Sequence, residues 1–126
     1  MKTSPDREVV AWLDAQPRTS IWTTSISLLE IRYGLQLLAQ GKRRTFLTNA
    51  FELMLRKLGH RVLAFDSASA EEAGELMATR HRKGRPVELR DAMIAGIVLA
   101  QRATLATRNT AHFEDIAAKV VNPWSA

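Results

Sequence analysis

The sequence predicts an α/β fold layered on a parallel sheet, and three observations carry that prediction. Short runs rich in β-branched and apolar residues alternate with longer stretches of helical periodicity. Glycine and proline punctuate the boundaries between them. A single segment, Ala92 to Ala100, is apolar on every side and reads as a buried helix among layers.

The elements follow in order. Ser4, Pro5 and Asp6 read as an N-cap, a first-turn proline and a dipole-favoured acid, opening an amphipathic helix with Val9, Trp12 and Leu13 inward and Pro17 at its end. Residues 21–25 are short, β-branched and aromatic, and predict a strand; Ser25 or Ser27 can cap a helix running to about Gln40, with Gly41 as its stop. A second helix is expected over 43–58, closed by Gly59, then an apolar strand over 61–65 ending at Asp66. Residues 67–82 show helical spacing through Ala70, Ala73, Leu76 and Met77. Gly84 and Pro86 break that run before a further helix over 87–102. A strand over 104–107, a short helix or turn over 110–117 and a last strand over 119–121 complete the chain before Asn122 and Pro123.

Composition bounds the function. The 126 residues are one domain's worth, able to bury a core without staples. No cysteine is present, which removes disulfides, thiolate zinc sites and cysteine nucleophiles together and fits a reducing cytoplasm. No apolar run is long enough to span a bilayer, so a soluble, intracellular protein without membrane contact is expected. The net charge of +5 provides an attractive field for nucleic acid or an acidic partner, with basic clusters at Lys42-Arg43-Arg44 and at Arg80-His81-Arg82-Lys83 with Arg85 and Arg90. The same clusters are equally compatible with solvated helix ends.

Two carboxylates stand out. On a helical wheel of residues 27–38, Arg32 and Gln36 form a narrow polar sector, and Glu30 falls inside the apolar arc of Leu28, Leu29, Ile31, Tyr33, Leu35, Leu37 and Leu38. A carboxylate buried there needs a cation, a donor or a metal; a salt bridge to an arginine at the core edge, or a bond to the tyrosine hydroxyl, is the plain alternative. Asp91 stands at the mouth of the apolar helix, where the helix dipole alone favours an acid. Together, two such acids near strand ends could hold one hard divalent cation, Mg²⁺ or Mn²⁺, and so act on a phosphodiester. Thr107, Arg108 and Asn109 follow a strand at the end where α/β sheets bind ligands, although Asn109 also suits a plain turn. His60, His81 and His112 lack metal-ligand spacing, no phosphate-binding glycine loop or nucleophile elbow occurs, and Trp12, Trp22 and Trp124 read as core or interface residues rather than stacking platforms.

The segment Thr23-Thr24-Ser25-Ile26-Ser27-Leu28-Leu29-Glu30-Ile31-Arg32-Tyr33-Gly34, then Asp91-Ala92-Met93-Ile94-Ala95, then Ala106-Thr107-Arg108-Asn109 with Phe113 and Val121-Asn122-Pro123-Trp124, resembles PIN-domain toxins of the VapC type, in the FitB-like, plasmid-stability branch. The resemblance covers essentially the whole chain. It implies a three-layer α/β/α fold around a central parallel sheet, and an Mg²⁺- or Mn²⁺-dependent endoribonuclease that acts as the toxin of a type II toxin–antitoxin module, forms a homodimer and is blocked by a cognate antitoxin. Glu30 and Asp91 match two of the family's metal-binding acids and, with Asn109, form the implied catalytic set; Thr24, Thr107 and Arg108 are the implied RNA-positioning residues. Asn109 and His112 stand where the family places a further polar or acidic ligand.

At its front the sequence departs from the family, whose members begin with a hydrophobic strand ending in Asp-Thr-Asn, the aspartate being a central metal ligand. Val9-Val10-Ala11-Trp12-Leu13 resembles the segment just after that strand. The expectation is that Met1 is internal to a longer frame or that the start has been lost; upstream genomic sequence would decide between these. Loss of that strand would expose sheet edges and weaken cation binding. Two other classes compete: a catalytically impaired module that still binds an antitoxin or itself, and a basic nucleic-acid-binding domain unrelated to this family.

Overall fold

Among the described residues the most extensive contact joins two helices, one of mixed composition over Ser67–Arg82 and the apolar one over Leu89–Gln101. A computed structural model of the chain describes residues 22–106 and 110–121, apart from the side chains of His112 and Val121. In chain order the elements are β1 (Thr23–Thr24), α1 (Ser25–Leu37), α2 (Lys42–Leu58), β2 (Val62–Leu63), α3 (Ser67–Arg82), α4 (Leu89–Gln101), β3 (Leu105–Ala106), a 3₁₀ turn (Thr110–Phe113) and β4 (Val120–Val121). The helix expected between Ser4 and Pro17 lies outside the described residues.

The expected alternation of strand and helix is present, with local corrections. Neither serine caps α1: the Thr24 hydroxyl accepts from the Ser27 backbone N–H at 3.0 Å and donates to Ser27 Oγ, so the helix begins at Ser25 and truncates the strand before it. The helix ends at Leu37, where Leu38 turns extended, and Gly41 serves as N-cap of α2 rather than as a stop. Asp66 caps α3 by accepting from the Ser69 N–H at 2.9 Å, and α3 spans the residues expected of it. Gly84, at φ +70°, reverses the chain after α3; its N–H reaches the His81 carbonyl while the Arg85 N–H reaches that of Arg80.

The strands are two residues each, shorter than expected, and they pair in parallel: Thr23 with Val62 and Thr24 with Leu63, then Leu105 with Val120 and Ala106 with Val121. Among the described residues these are two separate two-stranded sheets, not one continuous central sheet. Helix packing therefore carries most of the fold. In α4, Ala92, Ala95, Gly96, Ile97 and Val98 are buried, as its all-round apolarity predicts. Ala95 and Val98 join Leu105 and Phe113 in the core, flanked by Leu76, Ile94, Ile116 and Val120. At Gly96 the helices α3 and α4 approach so closely that a Cβ would stand 2.3 Å from the Ser69 carbonyl oxygen.

The apolar arc of α1 does not become an inner face. Ile26 and Leu35 are buried, whereas Leu29, Ile31, Tyr33 and Leu37 are exposed. Among the described residues α1 meets mainly β1, α2 and the apolar helix α4. Arg32 ties it to α2 through Glu52 at 3.3 Å, lying over the Phe51 ring. Trp22, expected in the core or an interface, is half exposed and packs edge-on against His60, because the strand begins only at Thr23.

Candidate active site

Asp91 is fixed by the start of α4. Pro86 keeps the preceding backbone extended, and Glu88 becomes the N-cap, its Oε2 accepting from the Asp91 N–H at 3.1 Å. The carboxylate of Asp91 thus stands in the first turn at the positive end of the helix, partly buried. The buried alanines immediately behind it hold that end of α4 in the core.

Glu30 sits one turn into α1, where α1 meets α4. It is not the dry, uncompensated carboxylate that the wheel suggests: its side chain is 38% exposed, and its Oε2 lies 3.7 Å from Arg90 Nη1. The salt bridge to an arginine, left open by the sequence, is realised with the residue next to Asp91. Arg90 also donates its Nε to Glu88 Oε1 at 3.1 Å. The bond from Arg90 holds the Glu88 carboxyl below its ordinary range, and Glu88 chiefly, with Glu30 and Asp91 adding, reinforces the charged guanidinium.

Three carboxylates, from Glu30, Glu88 and Asp91, therefore act on one guanidinium at the junction of α1 and α4. Their donors are all oxygen, the set that hard divalent cations take. The residues present fit Mg²⁺ or Mn²⁺ in that chemical sense. Among the described residues, no group of three or more His, Cys, Asp and Glu side chains gathers closely enough to enclose an ion. Thr107, Arg108 and Asn109 lie outside the described residues, as does the His112 side chain. Thr24, read from the sequence as an RNA-positioning residue, is buried with its hydroxyl engaged in the cap of the helix that carries Glu30.

The second basic cluster divides. Arg80 leaves it, being buried with its guanidinium on the Asp115 carboxylate through Nε at 3.0 Å and Nη2, an ion pair joining α3 to the segment after the 3₁₀ turn. His81, Arg82, Lys83 and Arg85 remain exposed. In the first cluster, Arg44 bonds Gln36 Oε1 at 2.6 Å and lines an open polar cavity of about 490 Å³ with Gln40, Gly41, Thr45, Thr48 and Asn49. None of these residues belongs to the carboxylate group. Glu88 and Arg90 are the participants that sequence reasoning missed; the available signal was an acid directly after Pro86-Val87 at cap spacing from Asp91, with a cation between the two acids.

Residues 2–119 match the family model of the PIN domain. The chain belongs to the PIN-domain family. It is 37% identical to the VapC ribonuclease Y4jK of Sinorhizobium fredii, over 98% of this chain and 89% of the relative. It is 30% identical to the toxin FitB of Neisseria gonorrhoeae over 98% of this chain and 90% of that protein. The crystal structure of FitAcB from Neisseria gonorrhoeae superposes with a TM-score of 0.87 at 30% identity, covering 95% of this chain and 87% of that one. The PIN fold and the VapC and FitB toxins as relatives, both implied by the sequence motifs, are thereby shown. Among the described residues no helix is long and apolar enough to cross a membrane.

Proposed function

We propose that this PIN-domain protein is the toxin of a toxin–antitoxin module and cleaves RNA phosphodiester bonds with Mg²⁺ or Mn²⁺ held at Glu30 and Asp91. The observation that carries the reading is the meeting of α1 and α4, which brings Glu30 within ion-pairing distance of Arg90, the residue next to Asp91 at the mouth of α4. When bound, the metal supplies an activated water and neutralises phosphate charge. The protein's own part is to fix Asp91 through the Glu88 cap and present Glu30 from α1, while exposed cations such as Arg82 and Lys83 at the end of α3 add to the field that attracts the RNA backbone. Asn109, Thr107 and Arg108 are assigned to the same site from their motif, Asn109 as a ligand and the other two in RNA positioning.

A protein antitoxin is the proposed partner, supported by relatives named as VapC and FitB toxins and by exposed apolar side chains on α1 and α2, among them Leu29, Tyr33, Leu37 and Phe46. A homodimer is proposed on the same apolar surfaces. The test is cleavage of a fluorogenic RNA with Mg²⁺ or Mn²⁺ against the same reaction in EDTA, for the wild type, Glu30→Gln and Asp91→Asn. Each variant should lose at least about 100-fold in rate while staying folded, since the metal these acids would hold supplies several kcal/mol of transition-state charge stabilisation. Unchanged cleavage in both variants would refute the assigned site.

A second reading has an observation in its favour. Two described acids are few for a hydrolytic metal centre, so the chain could instead be an impaired PIN module that binds an antitoxin or itself without cutting RNA. Absence of cleavage with any divalent cation, together with tight antitoxin binding, selects that reading.

A further inference from the structure

Arg90 differs from the other cations around the site because acids hold it on both sides. Its Nε is hydrogen-bonded to Glu88 at 3.1 Å, and its Nη1 leans to 3.7 Å from Glu30, a distance of ion pairing rather than a tight hydrogen bond. Glu88 is itself anchored, as the cap of α4. The guanidinium therefore has a fixed partner and a looser one, and the looser partner is the acid assigned to metal binding.

We propose that Arg90 is the resident counter-ion of Glu30, occupying that carboxylate until a divalent cation displaces it onto Glu88 alone. The inference rests on the metal-dependent reading of the Glu30 and Asp91 pair. Its physical basis is mass action: one carboxylate cannot give its full charge to a guanidinium and to a metal ion together, so any free energy in the Arg90–Glu30 pair is subtracted from cation binding. Without a cation, the same pair relieves the repulsion of three acids at one helix mouth. Arg90 is thus a positioning residue that sets the cation concentration at which the site fills.

The side chains of Arg90 and Glu30 are 46% and 38% exposed, so the pair is of the weak, screened kind. Removing Arg90 should accordingly tighten cation binding about two- to fivefold, the range spanned by an exposed ion pair. A pure field effect is separated by Arg85, which carries the same charge nearby in sequence but pairs with Glu114 at 3.5 Å.

The experiment is Mn²⁺ binding to the whole chain, followed by electron paramagnetic resonance of the free ion, for the wild type, Arg90→Gln, Arg85→Gln and Asp91→Asn. Thermal melts of each are run in EDTA and in saturating Mn²⁺. Arg90→Gln should bind Mn²⁺ two- to fivefold more tightly, Arg85→Gln should match the wild type, and the melting point lost by Arg90→Gln in EDTA should be recovered in Mn²⁺. Equal or weaker binding by Arg90→Gln overturns the proposal, as does an equal gain in Arg85→Gln. Wild-type protein with no saturable Mn²⁺ site sensitive to Asp91→Asn overturns the metal reading itself, and this inference with it. Metal-dependent cleavage alongside an unchanged Arg90→Gln affinity removes the inference alone.

Discussion

Replacing Gly96 by alanine should destabilise the protein through one contact whose geometry is known. An ideal Cβ at this position stands 2.3 Å from the Ser69 carbonyl oxygen, 2.9 Å from Ala73 Cβ and 3.0 Å from Ala73 N, where ordinary contacts begin at 3.4 Å. Two of these three neighbours are backbone, and Ser69 and Ala73 are both buried, so no flexible side chain can swing aside. Relief requires α3 and α4 to part by roughly 1 Å along their most extensive contact, near the upper end of overpacking costs at about 3 kcal/mol. Alanine's better helix propensity returns about 1 kcal/mol. The net loss of about 2 kcal/mol corresponds to a fall of about 6–10 °C in melting temperature for a domain of this size. Circular-dichroism melts and urea titrations measure it, with Gly74→Ala as the matched control: Gly74 lies in α3 with nothing within 4 Å of its would-be Cβ, so that variant should gain about 0.5–1 kcal/mol. A melting temperature for Gly96→Ala equal to or above that of the wild type would refute the close approach of α3 and α4.

Other outcomes follow from single contacts. Asp115→Asn removes the Asp115 charge from the buried Arg80 guanidinium and should cost about 2–3 kcal/mol, somewhat under the cost for a fully buried pair because Asp115 is 23% exposed. Arg80 holds the Asp115 carboxyl below its ordinary value of 3.8, so this contribution is complete above about pH 4 and fades as pH falls through the lowered value; the wild type should lose stability over that acid range by more than Asp115→Asn does, as acid titrations of the melting temperature would report. Thr24→Ala removes the cap of α1 and should cost about 1 kcal/mol, read from urea midpoints. Hydrogen exchange should show α1 less protected than α4, and added Mn²⁺ should raise protection in α1 but not in α4; equal protection in both helices without metal would contradict the difference in their burial.

The fold was most legible where one signal dominated. The apolar circumference of Ala92 to Ala100 reads as a buried helix, and the helical spacing of Ala70, Ala73, Leu76 and Met77 predicts α3 over the residues it occupies. Strand ends were less legible, because the residue that ends β1, Thr24, also suits a strand, and only tertiary context turns its hydroxyl to the Ser27 N–H. The burial of α1 was misread for a related reason: helical periodicity shows which side chains share a face, not whether anything covers it. Arg80 shows the converse, since the run Arg80-His81-Arg82-Lys83 reads as surface until Asp115, 35 residues away, supplies a buried partner. Glu30 and Asp91 stand out in the sequence by their motifs, whereas the pairing of Glu30 with Arg90, next to Asp91, depends on the meeting of α1 and α4, which sequence spacing does not encode.

That link joins two elements held with unequal firmness. Asp91 belongs to a helix whose next turns are sunk in the core and whose first turn is locked by Glu88, so its carboxylate has little freedom. Glu30 belongs to a helix with two buried residues, tethered by the Thr24 cap, the Arg32–Glu52 pair and Arg90 itself. A ligand requiring both carboxylates must therefore bring Glu30 to Asp91 rather than the reverse, and the ordering of α1 is part of its binding free energy. In the metal-free protein Arg90 does some of that ordering already, holding Glu30 beside the mouth of α4. Losing Arg90 thus releases Glu30 from competition while loosening its position, and the tighter cation binding expected of Arg90→Gln requires the release to outweigh the loosening.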